Sequence, residues 1–244
     1  MMNKVLCSLL LFLSISCGLQ GRNANYARDS KRIWLDSKEI HHGEYVWKMK
    51  KAGDVISSAE KVSSLGYDTS DWLSAIVPGT VLNSLVYNKE YPEPYYGVNN
   101  KLESGKIPDI SKVGREFYTY WFRTEFDVPE SFAGKTIWLQ PDGVNYRAEI
   151  WVNGNLLSTL NGMFISDYIN VTDFVKVGRK NILAVKVYPV DVPGTTMPKS
   201  WGATGEFHNG GNGNIGLNTT MLMSVGWDFT FMDGIRDRNT GIWK

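Results

Sequence analysis

One stretch of this sequence decides the fold. It runs from residue 118 to residue 128 and reads Tyr-Thr-Tyr-Trp-Phe-Arg-Thr-Glu-Phe-Asp-Val. In an extended strand every second side chain falls on the same face, so one face carries Tyr118, Tyr120, Phe122, Thr124 and Phe126. The opposite face carries Thr119, Arg123 and Glu125, and Trp121 interrupts its polarity. This alternation predicts a long strand with one face against a core.

A hairpin is predicted further along the chain. Residues 148–152 read Ala-Glu-Ile-Trp-Val and lead into Asn153-Gly154, which is the commonest two-residue signal for a hairpin turn. The apolar pair Leu156-Leu157 follows the turn. Two antiparallel strands joined at residues 153 and 154 are therefore expected.

Other short segments complete an all-β pattern. Residues 181–187 are mostly apolar on both faces, which predicts a buried strand. Residues 135–140 and 221–225 are further candidate strands, whereas residues 47–65 are of mixed character and residues 67–72 show no clear period. Turns rich in Gly, Pro and Asn separate these segments, and no long helical period is present. The pattern predicts an all-β sandwich of the jelly-roll kind.

The first residues have the pattern of an export signal. Lys4 supplies a positive charge, residues 5–15 are mostly apolar, and Ser14-Ile15-Ser16 provides small residues before a cleavage point. This apolar stretch is too short to span a bilayer. The expected organisation is a signal peptide at residues 1–16, a polar linker at residues 17–32 and one folded domain at residues 33–244.

Both cysteines, Cys7 and Cys17, lie in or beside this leader, so no disulfide is expected inside the folded domain. Cys17 precedes Gly18 in a context that resembles a bacterial lipoprotein signal, where the cysteine is lipidated after cleavage. A large aliphatic residue is usual where Ser14 stands, so lipidation and simple secretion both stay open. The expected location is the periplasm of a bacterium or, for a lipoprotein, its outer membrane.

Charge and composition exclude several classes of function. The chain has 26 basic and 25 acidic residues, so it lacks the excess positive charge on which nucleic-acid binding depends. Its three histidines show no metal-ligand spacing, and no phosphate-binding glycine motif follows a strand. No metal, cofactor or nucleic-acid partner is therefore expected.

A long connection rich in Gly and Asn lies between Pro189 and Asn218. Connections of this length in compact domains are either functional or disordered, and both interpretations stay open. The residues after this connection include the string Val-Gly-Trp-Asp-Phe at positions 225–229.

Nine short strings occur in a fixed order along residues 72–243. They are VPGTV (77–81), PYYGVN (94–99), YWFR (120–123), DGVNY (142–146), AEIWVNG (148–154), GMF (162–164), NILAVKV (181–187), VGWDF (225–229) and GIW (241–243). Together they resemble the amino-terminal domain of family 2 glycoside hydrolases, particularly the branch of exo-β-glucosaminidases, β-mannosidases and mannosylglycoprotein endo-β-mannosidases. The resemblance implies a galactose-binding-like β-sandwich that packs against a catalytic barrel.

The resemblance also implies where a sugar binds. In the family an acidic residue of this domain reaches the hydroxyls of the terminal sugar, and by motif that residue is Asp228. A carboxylate accepts charge-assisted hydrogen bonds from vicinal hydroxyls while Trp227 covers an apolar ring face. The alternative is that Trp227 is core and Asp228 caps a turn. Tyr96 and Asn99 are further candidates, although a Pro-Tyr-Tyr-Gly string also forms surface turns with a packed ring.

Family 2 enzymes cleave with two glutamates on a barrel, and such a barrel alone needs about 250 residues. We therefore expect that the barrel is not in this chain, that the chain is a fragment from an incomplete gene model or an interrupted frame, and that it is inactive alone. A carboxyl pair could also be drawn from Glu206, Asp228, Asp233 and Asp237, but none of them is the nucleophile in the family pattern.

Two hypotheses about function follow. In the first, the chain is the sugar-binding part of an exo-acting β-glycosidase and its partner is the catalytic domain of the same gene product. In the second, it is a free-standing exported carbohydrate-binding module, tethered through Cys17 or secreted, that gathers glycans on an exposed aromatic face. Both hypotheses predict carbohydrate as the ligand.

Overall fold

The strand predicted at residues 181–187 lies inside a six-stranded antiparallel sheet. The computed structural model describes residues 32–94, 96–99, 104–108, 113, 115–162, 165–189 and 240–244, and the fold is that of the unit Trp34–Lys244. The strands of the sheet, in the order in which they lie side by side, are β2 (Leu73–Ser74), β1 (Trp47–Lys51), β4 (Tyr120–Asp127), β10 (Lys180–Tyr188), β7 (Arg147–Val152) and β8 (Asn155–Asn161).

Two smaller sheets accompany the main one. The first contains β3 (Gly79–Thr80), β11 (Gly241–Ile242) and β6 (Val144–Asn145), with β11 in the middle. The second pairs β5 (Trp138–Leu139) with β9 (Ile169–Asn170). Two helices are described over their full length, α1 (Ala59–Val62) and α2 (Val81–Tyr87), and 3-10 turns occur at Ala52–Asp54, Arg115–Tyr118 and Glu130–Phe132.

The main core forms where the large sheet faces the two small ones. From β4 it takes Tyr120, Phe122 and Phe126, the residues that the alternation places on one face. The other sheets contribute buried aliphatic residues to the same core, which include Ile137, Val144, Ile169 and Ile242. Sheets that share a core between their inner faces make a sandwich. The prediction of an all-β sandwich is confirmed.

A second, smaller core covers the outer face of the main sheet. Trp121, which interrupts the polar face of β4, is buried there with Val62, Trp72, Trp151 and Ala184. The side chains of Ala184 and Trp121 come from adjacent strands, and Val62 comes from α1. This cluster explains why β10 is apolar on both faces: each face lies against a core.

The predicted hairpin is confirmed. β7 and β8 pair in an antiparallel register that sets Val152 opposite Asn155. Asn153 and Gly154 form the turn with φ angles of 48° and 87°. Positive φ at both central residues is the requirement of the two-residue hairpin turn, and Asn and Gly tolerate it best.

Some predicted bounds differ from the structure. The long strand begins at Tyr120, because Arg115–Tyr118 is a 3-10 turn. The strand predicted at residues 135–140 is confined to Trp138–Leu139. The strand predicted at residues 221–225 lies outside the described residues.

Helix α2 is not predicted by the apolar pattern. It begins after Thr80, whose hydroxyl accepts a hydrogen bond from the backbone N–H of Asn83 at 3.0 Å, and such N-terminal caps stabilise the first turn. Its buried side chains Val81, Leu82 and Leu85 cover only one short stretch, which is too brief for a helical period to be visible in sequence.

Candidate functional site

Three of the motif strings meet in the small sheet β3-β11-β6. Gly241 of the GIW string lies opposite Thr80 of VPGTV and opposite Asn145 of DGVNY. These strings are far apart in the sequence, and the pairing of β11 with β3 and β6 brings them together. The strings that carry the family resemblance therefore include a structural unit in which β11 is held on both sides.

This unit fixes both ends of the segment 190–239, which contains Trp227 and Asp228. At the leading end, the backbone N–H of Tyr146 donates to the carbonyl of Tyr188, the last residue of β10, at 2.8 Å. At the returning end, Gly241 pairs with Asn145. Asn145 and Tyr146 are consecutive, so Tyr188 and Gly241, which flank the segment, are held at neighbouring positions of the fold.

Asn145 is a buried amide. Its side chain is fully shielded (0% exposed), and neither its Oδ1 nor its Nδ2 has a hydrogen-bond partner among the residues that the structure describes. An amide offers two donors and an acceptor, and burying it unpaired costs about 1–3 kcal/mol by mutational data. A group with unused hydrogen-bonding capacity therefore lies in the strand beside β11. One feature of the sequence indicates this buried amide: an asparagine stands among apolar residues in the string DGVNY.

Tyr96 and Asn99 lie in one short turn but in different environments. The Tyr96 side chain is 77% exposed, whereas Asn99 is buried. The Asn99 amide donates to the carbonyl of Glu93 at 2.9 Å and accepts from the ammonium of Lys106 at 2.8 Å. Asn99 thus organises the turn with its own side chain. Of these two residues, only Tyr96 has a side chain that is accessible to a ligand.

Asp142 connects the last residue of the chain to the sandwich. The backbone N–H groups of Asp142 and Gly143 donate to the carbonyl of Lys244 at 2.8 and 3.1 Å. The Asp142 carboxylate accepts from Gln140 at 2.7 Å and from Ser166 at 2.8 Å, and lies 3.4 Å from the Lys244 ammonium. Burial opposes ionisation, but these hydrogen bonds and the ammonium outweigh it and lower the pKa of Asp142. The carboxylate thus helps to hold β11 in place.

A family model for the glycosyl hydrolase 2 galactose-binding domain-like fold matches residues 47–244. The chain belongs to this family. The match covers the main sheet, both small sheets and the segment with Asp228. It confirms the resemblance that the nine strings indicate, and these residues correspond to the galactose-binding-like domain of the family's β-glycosidases rather than to their catalytic part.

Similar proteins carry the same domain in much longer chains. The galactose-binding-like domain is 41% identical over 175 residues to a mannosylglycoprotein endo-β-mannosidase of Lilium longiflorum, covering 72% of this chain and 17% of that protein. It is 29% identical over 149 residues to an exo-β-D-glucosaminidase of Amycolatopsis orientalis, covering 60% of this chain and 13% of that protein. The chain thus spans less than a fifth of these relatives.

Solved structures share the architecture. The exo-chitosanase of Amycolatopsis orientalis matches with a TM-score of 0.51 and 27% identity over 60% of this chain and 16% of its own. A second structure of that exo-β-D-glucosaminidase, with inhibitors, matches with a TM-score of 0.56 over 82% of this chain and 19% of its own. That second match, at 23% identity, supports the fold alone.

An exposed aromatic face lies on the small sheet β5-β9 of the galactose-binding-like domain. Trp138 is 53% exposed and pairs across the sheet with Asn170. Tyr168 is 61% exposed and is separated from Asn170 by the buried Ile169, so it lies on the same side. Diagonal neighbours in such a pair are about 7–8 Å apart. Two aromatic rings and an amide thus share one accessible surface.

Several predicted residues lie outside the part of the chain that the structure describes. They are Cys17, Glu206, Trp227, Asp228, Asp233 and Asp237. Within the described ranges, no group of three or more His, Cys, Asp or Glu side chains is arranged to hold a metal ion.

Across those same ranges, no helix combines the length and the apolar character that crossing a membrane would require.

Proposed function

We propose that this domain is the sugar-binding part of an exo-acting β-glycosidase that hydrolyses β-mannoside or β-glucosaminide bonds. Membership of the galactose-binding-like family over residues 47–244 carries the proposal. The names of the similar proteins, an endo-β-mannosidase and exo-β-D-glucosaminidases, supply the substrate class. Hydrolysis itself would be carried out by two carboxyl groups of a catalytic barrel, which is the partner of this domain.

In this proposal Asp228 accepts hydrogen bonds from hydroxyls of the terminal sugar and Trp227 lies against the sugar ring. The fixed positions of Tyr188 and Gly241, which flank the segment 190–239, support this role, because a binding residue is positioned reproducibly when the scaffold beside it is rigid. Tyr96 is a further candidate for a ring contact, since its side chain is exposed.

The gene sequence beyond the codon for Lys244 tests the proposal directly. Translation in every frame is expected to yield barrel strands with two candidate glutamates. A terminator followed by unrelated sequence would contradict the assignment to a glycosidase and favour a protein that works alone.

A second candidate function, a free-standing carbohydrate-binding module, is supported by the exposed face of Trp138 and Tyr168. Aromatic rings bind the apolar faces of sugars, and a neighbouring amide such as Asn170 supplies a hydrogen-bond donor. In such a module the glycan would lie on β5-β9 rather than at Asp228.

Calorimetry with methyl β-mannoside and methyl β-glucosaminide separates the two functions. If Asp228 holds the sugar, Asp228→Asn should weaken binding about tenfold or more, because a charged hydrogen bond contributes roughly 1.5–3 kcal/mol, and Trp138→Ala should leave binding unchanged. If the protein is a free-standing module, the two variants should behave in the opposite way. Binding that neither substitution alters would contradict both placements.

We further propose that the protein is exported by a leader at residues 1–16, and that Cys17 carries a lipid anchor that places it at the outer membrane of a bacterium, with secretion to the periplasm as the alternative. Mass spectrometry of the mature protein tests this: a diacylated Cys17 at the new amino terminus is expected. An unmodified amino terminus at Cys17 or at a later residue would be consistent with export but would contradict the proposed lipid anchor.

A further inference from the structure

A cavity lies at the end of the main sheet where β10 begins. Its volume is about 300 Å³, and its lining consists of Ser64, Leu65, Asn153, Lys176, Arg179 and Lys180. Small-molecule sites have volumes of roughly 300–1,000 Å³, so this cavity has room for a single sugar ring but not for an extended chain. Three of the six lining residues are cationic.

Buried side chains hold the basic wall of the cavity in place. The fully buried Asn181 accepts a hydrogen bond from the backbone N–H of Lys176 at 2.7 Å and donates to the carbonyls of Lys176 and Arg179 at 2.9 and 2.8 Å. Asn153 donates its amide to Asn181 at 2.8 Å. The turn that carries the cations is therefore fixed by its own amide network, and a preorganised backbone reduces the entropy lost on binding.

The opposite wall is fixed by a buried arginine. Arg123 donates to the carbonyl of Val62 at 3.0 Å and to that of Ser64 at 3.1 Å. The N–H of Gly154 donates to the carbonyl of Ser63 at 3.0 Å, which joins this wall to the hairpin turn. Both walls of the cavity are therefore connected through buried groups of the main sheet.

The charge on the cavity is positive. Lys176 and Arg179 are exposed and form no ion pair within the described part of the chain. Lys180 lies 3.8 Å from Asp127, whose carboxylate offsets one cation. A carboxylate of Glu130 lies close behind Gly178, since a Cβ built on Gly178 would approach it at 1.9 Å. With Asp127 and Glu130 counted against the three cations of the lining, one net positive charge remains, and Lys176 and Arg179 are the cations without an ion pair among the described residues.

We propose that this cavity binds a sugar unit that carries an anionic group, a carboxylate or a sulfate. A guanidinium such as that of Arg179 forms two parallel hydrogen bonds with either group, and Lys176 adds a second cation. The Ser64 hydroxyl donates to the carbonyl of Glu60 at 2.6 Å, and its oxygen can still accept a hydrogen bond from a sugar hydroxyl. Complementary charge selects the anionic sugar over a neutral one, which is a chemistry different from the mannoside or glucosaminide at Asp228.

The site is also separate in position from the anchors of the segment 190–239. β10 begins at Lys180, which lines the cavity, and ends at Tyr188, from which the chain enters that segment. A strand advances about 3.3 Å per residue, so these two ends are about 26 Å apart. The proposal therefore rests on residues that the proposed glycosidase function does not use.

Nuclear magnetic resonance of the full chain tests the site with four probes: glucuronate, glucose 6-sulfate, glucose and inorganic sulfate. Saturable shifts of the backbone amides of residues 176–180 are expected with glucuronate, glucose 6-sulfate or both, and the responding probe identifies carboxylate or sulfate as the anion. The shifts should diminish as salt is added, because exposed charges are screened. No shift is expected with glucose.

The double variant Lys176→Gln/Arg179→Gln should weaken binding of the acidic sugar at least about tenfold. Lys38→Gln, which removes an exposed lysine outside the cavity, should leave the affinity unchanged. Both are surface changes, so the melting temperatures of the variants should match that of the parent. Equal affinity of the double variant would overturn the proposal. Inorganic sulfate that binds as tightly as glucose 6-sulfate would overturn it too, because the sugar would then contribute nothing.

Discussion

Gly241 lies so close to Gly79 that a Cβ on residue 241 would approach the carbonyl oxygen of Gly79 to 2.2 Å. A real side chain cannot occupy that space without moving backbone atoms. The pairing of β11 with β3 therefore depends on glycine at residue 241. Since β11 follows the segment with Asp228, this contact fixes the position of the chain directly after that segment.

Gly241→Ala should displace β11 and lower the free energy of unfolding by about 1–3 kcal/mol, the range expected for an overpacked interior site. Urea unfolding followed by tryptophan fluorescence measures the change. Gly53→Ala is the matched control, because a Cβ at residue 53 has no neighbour within 4 Å. A Gly241→Ala protein as stable as the parent would show that β3 and β11 can separate at no cost.

Asn145→Leu should leave the free energy of unfolding unchanged or raise it, because a leucine of similar size removes two unpaired polar atoms from a buried site. Asn99→Leu is the control. Its amide has partners, so its replacement should cost about 1–2 kcal/mol. Thermal unfolding of both variants makes the comparison. A loss of more than about 2 kcal/mol in Asn145→Leu would mean that this amide is hydrogen-bonded in solution.

Arg123→Met should detach the α1 region from the main sheet. The guanidinium is buried, and burial lowers its pKa, with partial compensation from Glu125. Removing it leaves the carbonyls of Val62 and Ser64 without their donor, at a cost of about 2–4 kcal/mol. Hydrogen exchange at residues 59–64 should accelerate. Lys38→Met, a change at an exposed residue, should alter neither the free energy of unfolding nor the hydrogen exchange of residues 59–64. Unaltered exchange in Arg123→Met would contradict the proposed role of this arginine.

Asp142 should make the stability of the domain depend on pH in the acid range. Because its pKa is lowered in the folded protein, its contribution is fully present above the ordinary aspartate pKa, about 4, and is lost as the pH falls through the lowered value. The parent should therefore exceed Asp142→Asn in stability at pH 7, and the difference should shrink from about pH 4 downward. Denaturant unfolding from pH 2 to pH 7 measures it. A difference that is constant with pH would exclude this carboxylate as its source.

The local features of the fold could be predicted from the sequence because each depends on neighbouring residues. The alternation in β4, the two apolar faces of β10 and the Asn153-Gly154 turn are examples. The 3-10 turn at Arg115–Tyr118 limits β4 at its start, and no periodic signal marks it.

The features that could not be predicted depend on residues far apart in the chain. Arg123 sits on the polar side of its strand in the sequence, yet it is buried because α1 supplies two carbonyls from residues 62 and 64. Asn145 is recognisable as part of a motif, but the sequence does not show that its side chain is buried without a hydrogen-bond partner among the described residues. For the predicted sugar contacts Trp227 and Asp228, motif resemblance is the supporting signal.

The closeness of Tyr188 and Gly241 to the dipeptide 145–146 has a consequence for how this family can diversify. When the two ends of a connection are already held together by the scaffold, lengthening it costs little: doubling a loop adds only about 0.6 kcal/mol of closure entropy. A change in the number of residues between positions 188 and 241 would therefore cost little closure entropy. Members of the family can thus differ in the length of this stretch while the backbone contacts to residues 145 and 146 stay the same.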